Sequence, residues 1–354
     1  MKKITRNAEK FDVIDLFAAM AAEHGYKLDD PISQNAFIDR VRCSFESSKN
    51  NEIAIYGKRV EALFAYVAGA LGRTTLLKQE DIGALYHIEN ELLLPDYKLI
   101  LEDGNCYFVE VKNFYNKDPS AKLVIKEDYY KKLQKYSSIC NIDLLFAIYF
   151  SSWNKWVLVP IEAFDRKDDS FEIDFATAMA KSEMSILGDC MVGTSPDLEL
   201  VLLADENEAN EIDDDGQAVF TAREIKIYCG GNEVLDSKEK EIAFYFMRFG
   251  DWVEKEVEAI VEHDKLLGMR FIYTPDSKTE ENFSLIGNLS SMISNMFKEH
   301  TVQDGKVVAV NSPLDPESFK VFISKDYKGK QLPLWRFVMQ PNYEFTGLTK
   351  RSSC

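Results

Sequence analysis

The chain contains few residues for histidine- or cysteine-based chemistry. Of its 354 residues, four are histidines and six are cysteines. No two histidines lie close together along the chain, and the cysteines form no Cys-x-x-Cys pair. This scarcity disfavours a histidine-based metal site, a zinc ribbon and a disulfide framework, and the cysteines are expected to be reduced. Hydrolytic chemistry in this chain must therefore depend on carboxylates.

Positive charge is also scarce, because the net charge is -17. This balance argues against a protein that coats nucleic acid by bulk charge, since phosphate binding needs clustered Lys and Arg. The acidic excess is local: ADENEANEIDDDGQ, residues 204–217, holds seven acidic residues and no basic one. By contrast, the segment from Lys98 to Lys135 carries eight lysines against six acidic residues.

Long apolar runs and several common motifs are missing. No apolar run approaches the ~20 residues that a membrane span needs. The first residues, MKKITRNAEKFDV, lack the apolar stretch of a secretory signal, so a cytoplasmic location is expected. There is no Walker-type Gly-Lys-Ser/Thr loop, no Gly-x-Gly-x-x-Gly and no Gly-x-Ser-x-Gly, which disfavours the nucleotide-binding and acyl-transfer classes that use them.

The hydrophobic pattern predicts helices and strands in two groups, in a chain long enough for one large domain or two. Apolar periodicity predicts helices over 8–23 and 34–46, and a third helix that ends at Gly72. A strand-like run at 92–112, a lysine-rich helix at 119–140 and strands at 142–150 and 155–161 follow. Beyond about residue 170, short strands alternate with longer helices near 238–266 and 281–299, which is typical of an α+β domain.

The strand-like run holds a hairpin with charged residues in its second strand. A two-residue Asp103-Gly104 turn leaves neither face coherent. A three-residue loop with Asn105 in the left-handed conformation pairs Tyr97 with Val111 and makes one face wholly apolar. The other face then aligns Asp96 with Lys112 and Lys98 with Glu110, which gathers Asp96, Glu110 and Lys112 at one end. An ordinary solvated strand face is the alternative interpretation.

These three side chains have the chemistry of a metal-assisted hydrolytic site. Two neighbouring carboxylates repel each other unless a cation lies between them, and such hard oxygen ligands suit Mg²⁺. A bound metal lowers the pKa of its water and polarises a phosphoryl oxygen. An adjacent lysine, a point charge with three donors, can contact both water and phosphate.

The pattern Pro95-Asp96, thirteen intervening positions, then Glu110-Val111-Lys112 resembles the PD-(D/E)xK nuclease superfamily of restriction endonucleases and archaeal Holliday-junction resolvases. The resemblance covers residues 50–165. It implies that Asp96, Glu110 and the carbonyl of Val111 bind Mg²⁺, or Mn²⁺ in its place, while Lys112 assists the attacking water. It also implies an α/β restriction-endonuclease-like core, a mixed sheet flanked by helices.

The resemblance divides the chain into an N-terminal helical extension (1–48), a nuclease-like core (49–170) and a C-terminal α+β domain of unknown role (171–354). The implied function is that of a magnesium-dependent DNA endonuclease. Its expected partner is DNA, no membrane association is expected, and it can form a homodimer. Two alternatives stay open. The first is a catalytically silent nuclease-fold module for nucleic-acid binding or assembly. The second is a nuclease that cleaves RNA.

Further candidates are less specific. Glu61 follows Gly57 in the style of a superfamily helix glutamate, and its alternative is a helix-surface residue near Lys58. Two glutamates before the hairpin, Glu89 and Glu91, are spare candidates. Three lysines of the following segment are candidates for phosphate contacts or for a solvated helix face: Lys126, Lys131 and Lys135.

Two other patterns are discounted. Gln134 and Tyr136 lack the Gln-x-x-x-Tyr spacing of an exonuclease-like branch of the superfamily. Pro196-Asp197 and Glu224-Ile225-Lys226 repeat the letters of the nuclease motif. However, an acidic loop separates them and no lysine-rich helix follows.

Overall fold

A computed structural model describes residues 1–4, 9, 12–80, 87, 91–205, 207, 211–277, 281–320, 323 and 327–347. The helices are α1 Asp12–His24, α2 Pro31–Ser48, α3 Glu52–Leu71, α4 Glu127–Cys140, α5 Phe175–Ala180, α6 Ser237–Phe249 and α7 Leu289–Thr301. The first nine strands are β1 Thr74–Gln79, β2 Tyr97–Leu101, β3 Cys106–Phe114, β4 Lys122–Lys126, β5 Asp143–Phe150, β6 Lys155–Pro160, β7 Asp165–Lys167, β8 Ser170–Asp174 and β9 Met191–Thr194. The other nine are β10 Leu198–Ala204, β11 Ala222–Cys229, β12 Asn232–Glu233, β13 Val253–Glu262, β14 Lys265–Thr274, β15 Ser284–Asn288, β16 Val302–Gln303, β17 Lys306–Val307 and β18 Trp335–Phe337.

A five-stranded mixed sheet in the order β1-β2-β3-β5-β6 forms the centre of the first half. Only β3 and β5 run parallel, and the other neighbours are antiparallel. Helix α3 covers one face, where Leu63 and Phe64 join the core with Leu99 and Val109. Helix α4 lies on the other face, where Leu133 is buried in a second core. The predicted mixed sheet flanked by helices is confirmed.

Helix α3 is bounded by the residues that the sequence indicates. The Asn51 side chain accepts a hydrogen bond from the Ala54 N–H at 3.1 Å, which caps the first turn. The helix ends at Gly72, whose φ of 91° is the left-handed conformation that favours glycine. The predicted stop at Gly72 is confirmed.

The structure corrects the prediction of a single helix over residues 119–140. The structure instead has strand β4 up to Lys126, and helix α4 begins only at Glu127. The strand forms because Leu123 and Ile125 pair with β8, and Ile125 is buried there. Its consecutive β-branched Val124 and Ile125 also favour a strand over a helix. Strand β1 is also absent from the elements predicted from the sequence.

A second correction concerns the two long helices predicted in the second half. The helix predicted near 238–266 ends at Phe249, and Val253–Glu262 forms strand β13, which pairs with β14. Its valines and isoleucine suit this pairing. In the range near 281–299 that was predicted as a helix, Ser284–Asn288 forms strand β15 instead. Helix α7 starts only at Leu289.

Residues beyond 170 pack against the first half of the chain. Strand β8 pairs with β4, while Ile293 and Phe297 of α7 join Phe319 in the core beneath α3. The two predicted parts are thus packed against each other across residue 170. Their division into separate domains stays a prediction. Within the described ranges, no helix is long and apolar enough to span a membrane.

Candidate active site

The register of the β2–β3 hairpin differs from both registers considered from sequence. Tyr97 pairs with Val109, and the Leu101 N–H donates to the carbonyl of Asn105 at 2.9 Å, which closes a loop of three residues. The predicted loop length is correct, but the residue predicted to be left-handed is wrong. Gly104, with φ of 88°, takes this conformation instead of Asn105, because glycine has no Cβ to oppose it.

The shift of two positions keeps the predicted faces and changes the partners. Asp96 directly precedes the Tyr97–Val109 pair and lies close enough to Glu110 to feel its charge, whereas the register expected from the sequence set it opposite Lys112. At this point the Asp96 carboxylate accepts a hydrogen bond from the Val111 N–H at 2.7 Å. The two predicted metal ligands are thus neighbours across the hairpin.

The pair of carboxylates is electrostatically unfavourable without a counter-charge. Glu110 is only 4% exposed. Burial, followed by the charge of Glu110, raises the pKa of Asp96 to about 7. The Val111 hydrogen bond and the charge of Lys112 act in the opposite direction without cancelling these effects. Such a site favours the uptake of positive charge, either a proton or a cation.

Lys112 lies beside Glu110 on the same strand. Its Nζ is 2.6 Å from Glu110 Oε1, and its side chain is 28% exposed, so it is held but still reaches the surface. Burial acts to lower the pKa of Lys112, but Glu110 and Tyr129 together raise it above its ordinary value. Lys112 is therefore a charged donor, suited to hold water and stabilise negative charge.

Tyr129 is a site residue that the sequence analysis missed. It lies in the first turn of α4, donates a hydrogen bond to Glu110, and accepts one from Lys112 Nζ at 2.9 Å. Burial, followed by the charge of Glu110, raises the pKa of Tyr129 to about 12. The available signal was its place in the helix that follows the motif, but the misplaced start of α4 hid the direction of its side chain.

Glu61 lies on α3, on the side where β2 begins. Its side chain forms an ion pair with Lys58 at 2.6 Å, and the Tyr97 hydroxyl donates to the Glu61 backbone carbonyl at 3.1 Å. The charge of Glu61 also contributes to the raised pKa of Asp96. Both interpretations of Glu61 thus have support: it pairs with Lys58, and its charge acts on the candidate site.

Glu80 is a buried carboxylate next to Asp96 that was not singled out from the sequence. Its N–H donates to the Asp96 carbonyl at 2.9 Å, and its buried side chain accepts hydrogen bonds from Tyr136 and Lys78. Two tyrosines of helix α4, seven positions apart, therefore each donate a hydrogen bond to a glutamate: Tyr129 to Glu110 and Tyr136 to Glu80. Of the spare candidates, Glu89 lies outside the described residues, and Glu91 is exposed.

The three candidate phosphate-contacting lysines lie in different settings. Lys126 is exposed at the end of β4, so its predicted place on the helix is wrong. Lys131 lies on α4 within 3.4 Å of Glu127, and Lys135 follows one turn later and is half-buried. Their contact with phosphates stays a prediction.

The discounted repeat of the motif does not assemble. Strand β10 begins beside Asp197 and pairs with β11 so that Leu198 faces Cys229, while Leu203 faces Glu224. Asp197 and Glu224 therefore lie at opposite ends of the strand pair, roughly 20 Å apart at the usual rise per residue.

The donor set at Asp96 and Glu110 fits Mg²⁺. This ion usually takes one or two carboxylates and completes its shell with water and phosphate oxygens. Among the residues that the structure describes, no group of three or more His, Cys, Asp or Glu side chains is arranged to hold a metal ion. The protein would thus supply two carboxylates and, in the ligand set implied by the sequence, the Val111 carbonyl, with the remaining positions left to water and substrate.

No protein-family model matches the chain, and no curated protein matches it. One solved structure similar to this chain is Archaeoglobus fulgidus Hjc, a Holliday junction resolvase from an archaeal hyperthermophile, at 15% sequence identity. The alignment covers 33% of this chain and 87% of that chain, with a TM-score of 0.24. The likeness is distant.

Proposed function

We propose that this chain is a divalent-metal-dependent nuclease that hydrolyses phosphodiester bonds, with DNA as its substrate. The observation that supports it best is the hairpin that holds the Asp96 carboxylate on the Val111 N–H next to Glu110, with charged Lys112 beside them. The mutual repulsion of the two carboxylates gives the folded protein a reason to bind a cation at this point.

In the proposal, Asp96 and Glu110 hold Mg²⁺ or Mn²⁺, and the Val111 carbonyl is an additional ligand. The bound ion supplies Lewis-acid polarisation of a phosphoryl oxygen and a water of lowered pKa. The Val111 N–H, which donates to Asp96 at 2.7 Å, fixes that carboxylate on the hairpin. Two ligands thus stand on one rigid hairpin, which suits a site that requires exact geometry.

Lys112 is proposed to orient the attacking water and to stabilise the negative charge that develops on the phosphate. Since its pKa is raised, Lys112 stays protonated and does not accept the proton of the water. Its exposed fraction of 28% leaves the ammonium accessible to substrate. This role is electrostatic stabilisation, which typically contributes 10²–10³-fold to a rate.

A nuclease-fold module without turnover is the second candidate. The Lys112–Glu110 ion pair, at 2.6 Å, and the net charge of -17 favour it, because the first neutralises a ligand and the second opposes nucleic acid. In that case the same residues would stabilise the fold and no bond would be cut.

The test is cleavage of labelled duplex, single-stranded and branched DNA and of RNA, with Mg²⁺ or Mn²⁺ and with EDTA. Lys112→Ala is compared with Lys226→Ala, which removes the lysine of the discounted repeat. The proposal expects metal-dependent cutting by the wild type and by Lys226→Ala, and cutting reduced on the order of 10²-fold by Lys112→Ala. Cutting of RNA alone would change the substrate, and inert wild-type protein on every substrate would support the binding module.

A homodimer that cuts both strands of a duplex belongs to the same proposal. Light scattering of the purified protein, alone and with DNA, gives the mass of the species in solution. A monomeric mass in both samples would contradict this part of the proposal and leave the active site untouched.

A further inference from the structure

Tyr129 makes two kinds of contact with Lys112. The phenolic oxygen accepts a hydrogen bond from Lys112 Nζ at 2.9 Å. The same Nζ lies 4.6 Å from the centroid of the Tyr129 ring, within the range of a cation–π interaction. The Tyr129 hydroxyl also donates to Glu110. The three side chains form a closed hydrogen-bonded ring at the edge of the candidate metal site.

The start of α4 explains why Tyr129 points to β3. Pairing of β4 with β8 fixes the chain up to Lys126, and α4 begins at the next residue. The neighbouring Tyr130 packs its ring against Phe146 and Phe171 in the core between α4 and the sheet. Anchored on both sides, Tyr129 is held in a fixed place above Glu110 and Lys112.

The ring of contacts has a consequence when a cation arrives. Glu110 accepts hydrogen bonds from both Lys112 and Tyr129 in the structure, and a cation held by Glu110 would weaken its pairing with Lys112, since the carboxylate charge would be shared. The hydroxyl and the ring face of Tyr129 then remain as contacts of the ammonium. We infer that Tyr129 is a positioning residue that keeps Lys112 at the reaction centre, an inference that rests on the proposed function.

Tyr136 provides a matched control on the same helix. Its hydroxyl donates to Glu80 at 2.8 Å, and Lys78 shares that carboxylate at 2.9 Å. Tyr136→Phe thus removes the same type of hydrogen bond, to the same type of residue, from the same face of α4. No contact described for Tyr136 involves Lys112.

The experiment measures kcat, KM and the rate of Lys112 acetylation for the wild type, Tyr129→Phe, Tyr129→Leu and Tyr136→Phe. Cleavage uses whichever labelled DNA or RNA of the panel the wild type cuts, with Mg²⁺, and acetylation by acetic anhydride is followed by mass spectrometry. We expect kcat to fall about tenfold in Tyr129→Phe and about 100-fold in Tyr129→Leu, because a misplaced catalytic group costs on this order. KM should change little, and Tyr136→Phe should match the wild type.

The acetylation rate separates this inference from the proposed function. Lys112 should react faster in Tyr129→Phe, and faster again in Tyr129→Leu, than in Tyr136→Phe, even if the wild type cleaves nothing. Inert wild-type protein with this order of reactivity would defeat the nuclease proposal and keep the positioning role. Equal reactivity in all variants, or equal loss of kcat in Tyr129→Phe and Tyr136→Phe, would overturn the role of Tyr129.

Discussion

Two regions of this molecule share the letters Pro-Asp followed by Glu-x-Lys, and they form different structures. In the first hairpin, a three-residue loop pairs Tyr97 with Val109, and the adjoining Asp96 binds the Val111 N–H beside Glu110. In the second region, the β10–β11 register leaves Asp197 and Glu224 at opposite ends of a strand pair. The comparison teaches that the register of the strands, rather than the residue pattern, assembles a carboxylate pair.

The electrostatics of the two regions differ in the same way. The pKa of Asp96 rises to about 7 because of burial and then the charge of Glu110. In the second region, Glu224 lies 3.7 Å from Lys226, with more than half of its side chain exposed. A solvated ion pair of this kind contributes little, whereas the first region places Asp96 beside a largely buried Glu110–Lys112 pair.

Removing either carboxylate of the first region should have the largest effect. Asp96→Ala and Glu110→Ala are each expected to lower cleavage by on the order of 10³-fold, because the metal and its stabilisation of the transition state are lost. Calorimetric titration with Mn²⁺ should show binding lost in both. Asp197→Ala and Glu224→Ala are the matched controls, and a comparable loss in either would end the distinction between the regions.

Lys112→Ala should have the next largest effect on cleavage. We expect cleavage to fall on the order of 10²-fold because the charge beside the phosphate is lost. Mn²⁺ affinity should be largely kept, since both carboxylates remain. Single-turnover rates and calorimetry check the two parts. Full cleavage by this variant would show that the lysine is only a partner of Glu110.

Asp96→Asn separates stability from function. The folded pKa of about 7 is above the unfolded value near 3.8, so the ionised carboxylate destabilises the fold as pH rises from about 4 through 7. Asn keeps an acceptor for the Val111 N–H and removes the charge. At pH 8 we expect the variant to be more stable than the wild type by on the order of 2 kcal/mol, with the difference gone below pH 4.

Urea unfolding at pH 8 and at pH 4 measures this effect. Asp197→Asn is its control and should show no comparable gain at pH 8. A destabilised Asp96→Asn at pH 8 would contradict the raised pKa. Adding Mn²⁺ at pH 8 should stabilise the wild type and leave Asp96→Asn unchanged, because only the paired carboxylates bind the ion.

Glu61→Ala should have the smallest effect, about a tenfold loss of cleavage, because its charge acts on Asp96 from a neighbouring helix. A surface role beside Lys58 would leave cleavage unchanged. Steady-state rates of Glu61→Ala and Lys58→Ala separate the two: a loss in Glu61→Ala alone supports the site role, and wild-type rates in both support the surface role.

The sequence was sufficient for the parts of the fold that depend on local pattern. Gly72 ends α3, and the alternation in the hairpin assigned the faces correctly even though the register was wrong by two positions. The carboxylate cluster was predictable because Asp96 and Glu110 stand on that hairpin. The two carboxylates come together despite the wrong register, since a shift of two keeps every side chain on its face, and their role as metal ligands stays a prediction.

The parts of the fold and of the candidate site that were not predicted depend on strand pairing between segments distant in sequence. Strand β4 exists because Leu123 and Ile125 pair with β8, which follows almost fifty residues later. The start of α4, and with it the direction of Tyr129, depends on that pairing. Glu80 was missed for a similar reason, since strand β1 becomes recognisable only beside β2. A single sequence carries no direct signal of such partners.

The most direct test of the central claim is calorimetric titration of Mn²⁺ into the wild type, Asp96→Asn and Asp197→Asn at pH 8. We predict that the wild type and Asp197→Asn bind the ion with the same affinity and that Asp96→Asn does not bind it. Equal binding by all three proteins, or binding lost with Asp197 and kept without Asp96, would contradict the assignment of the metal site to the first hairpin.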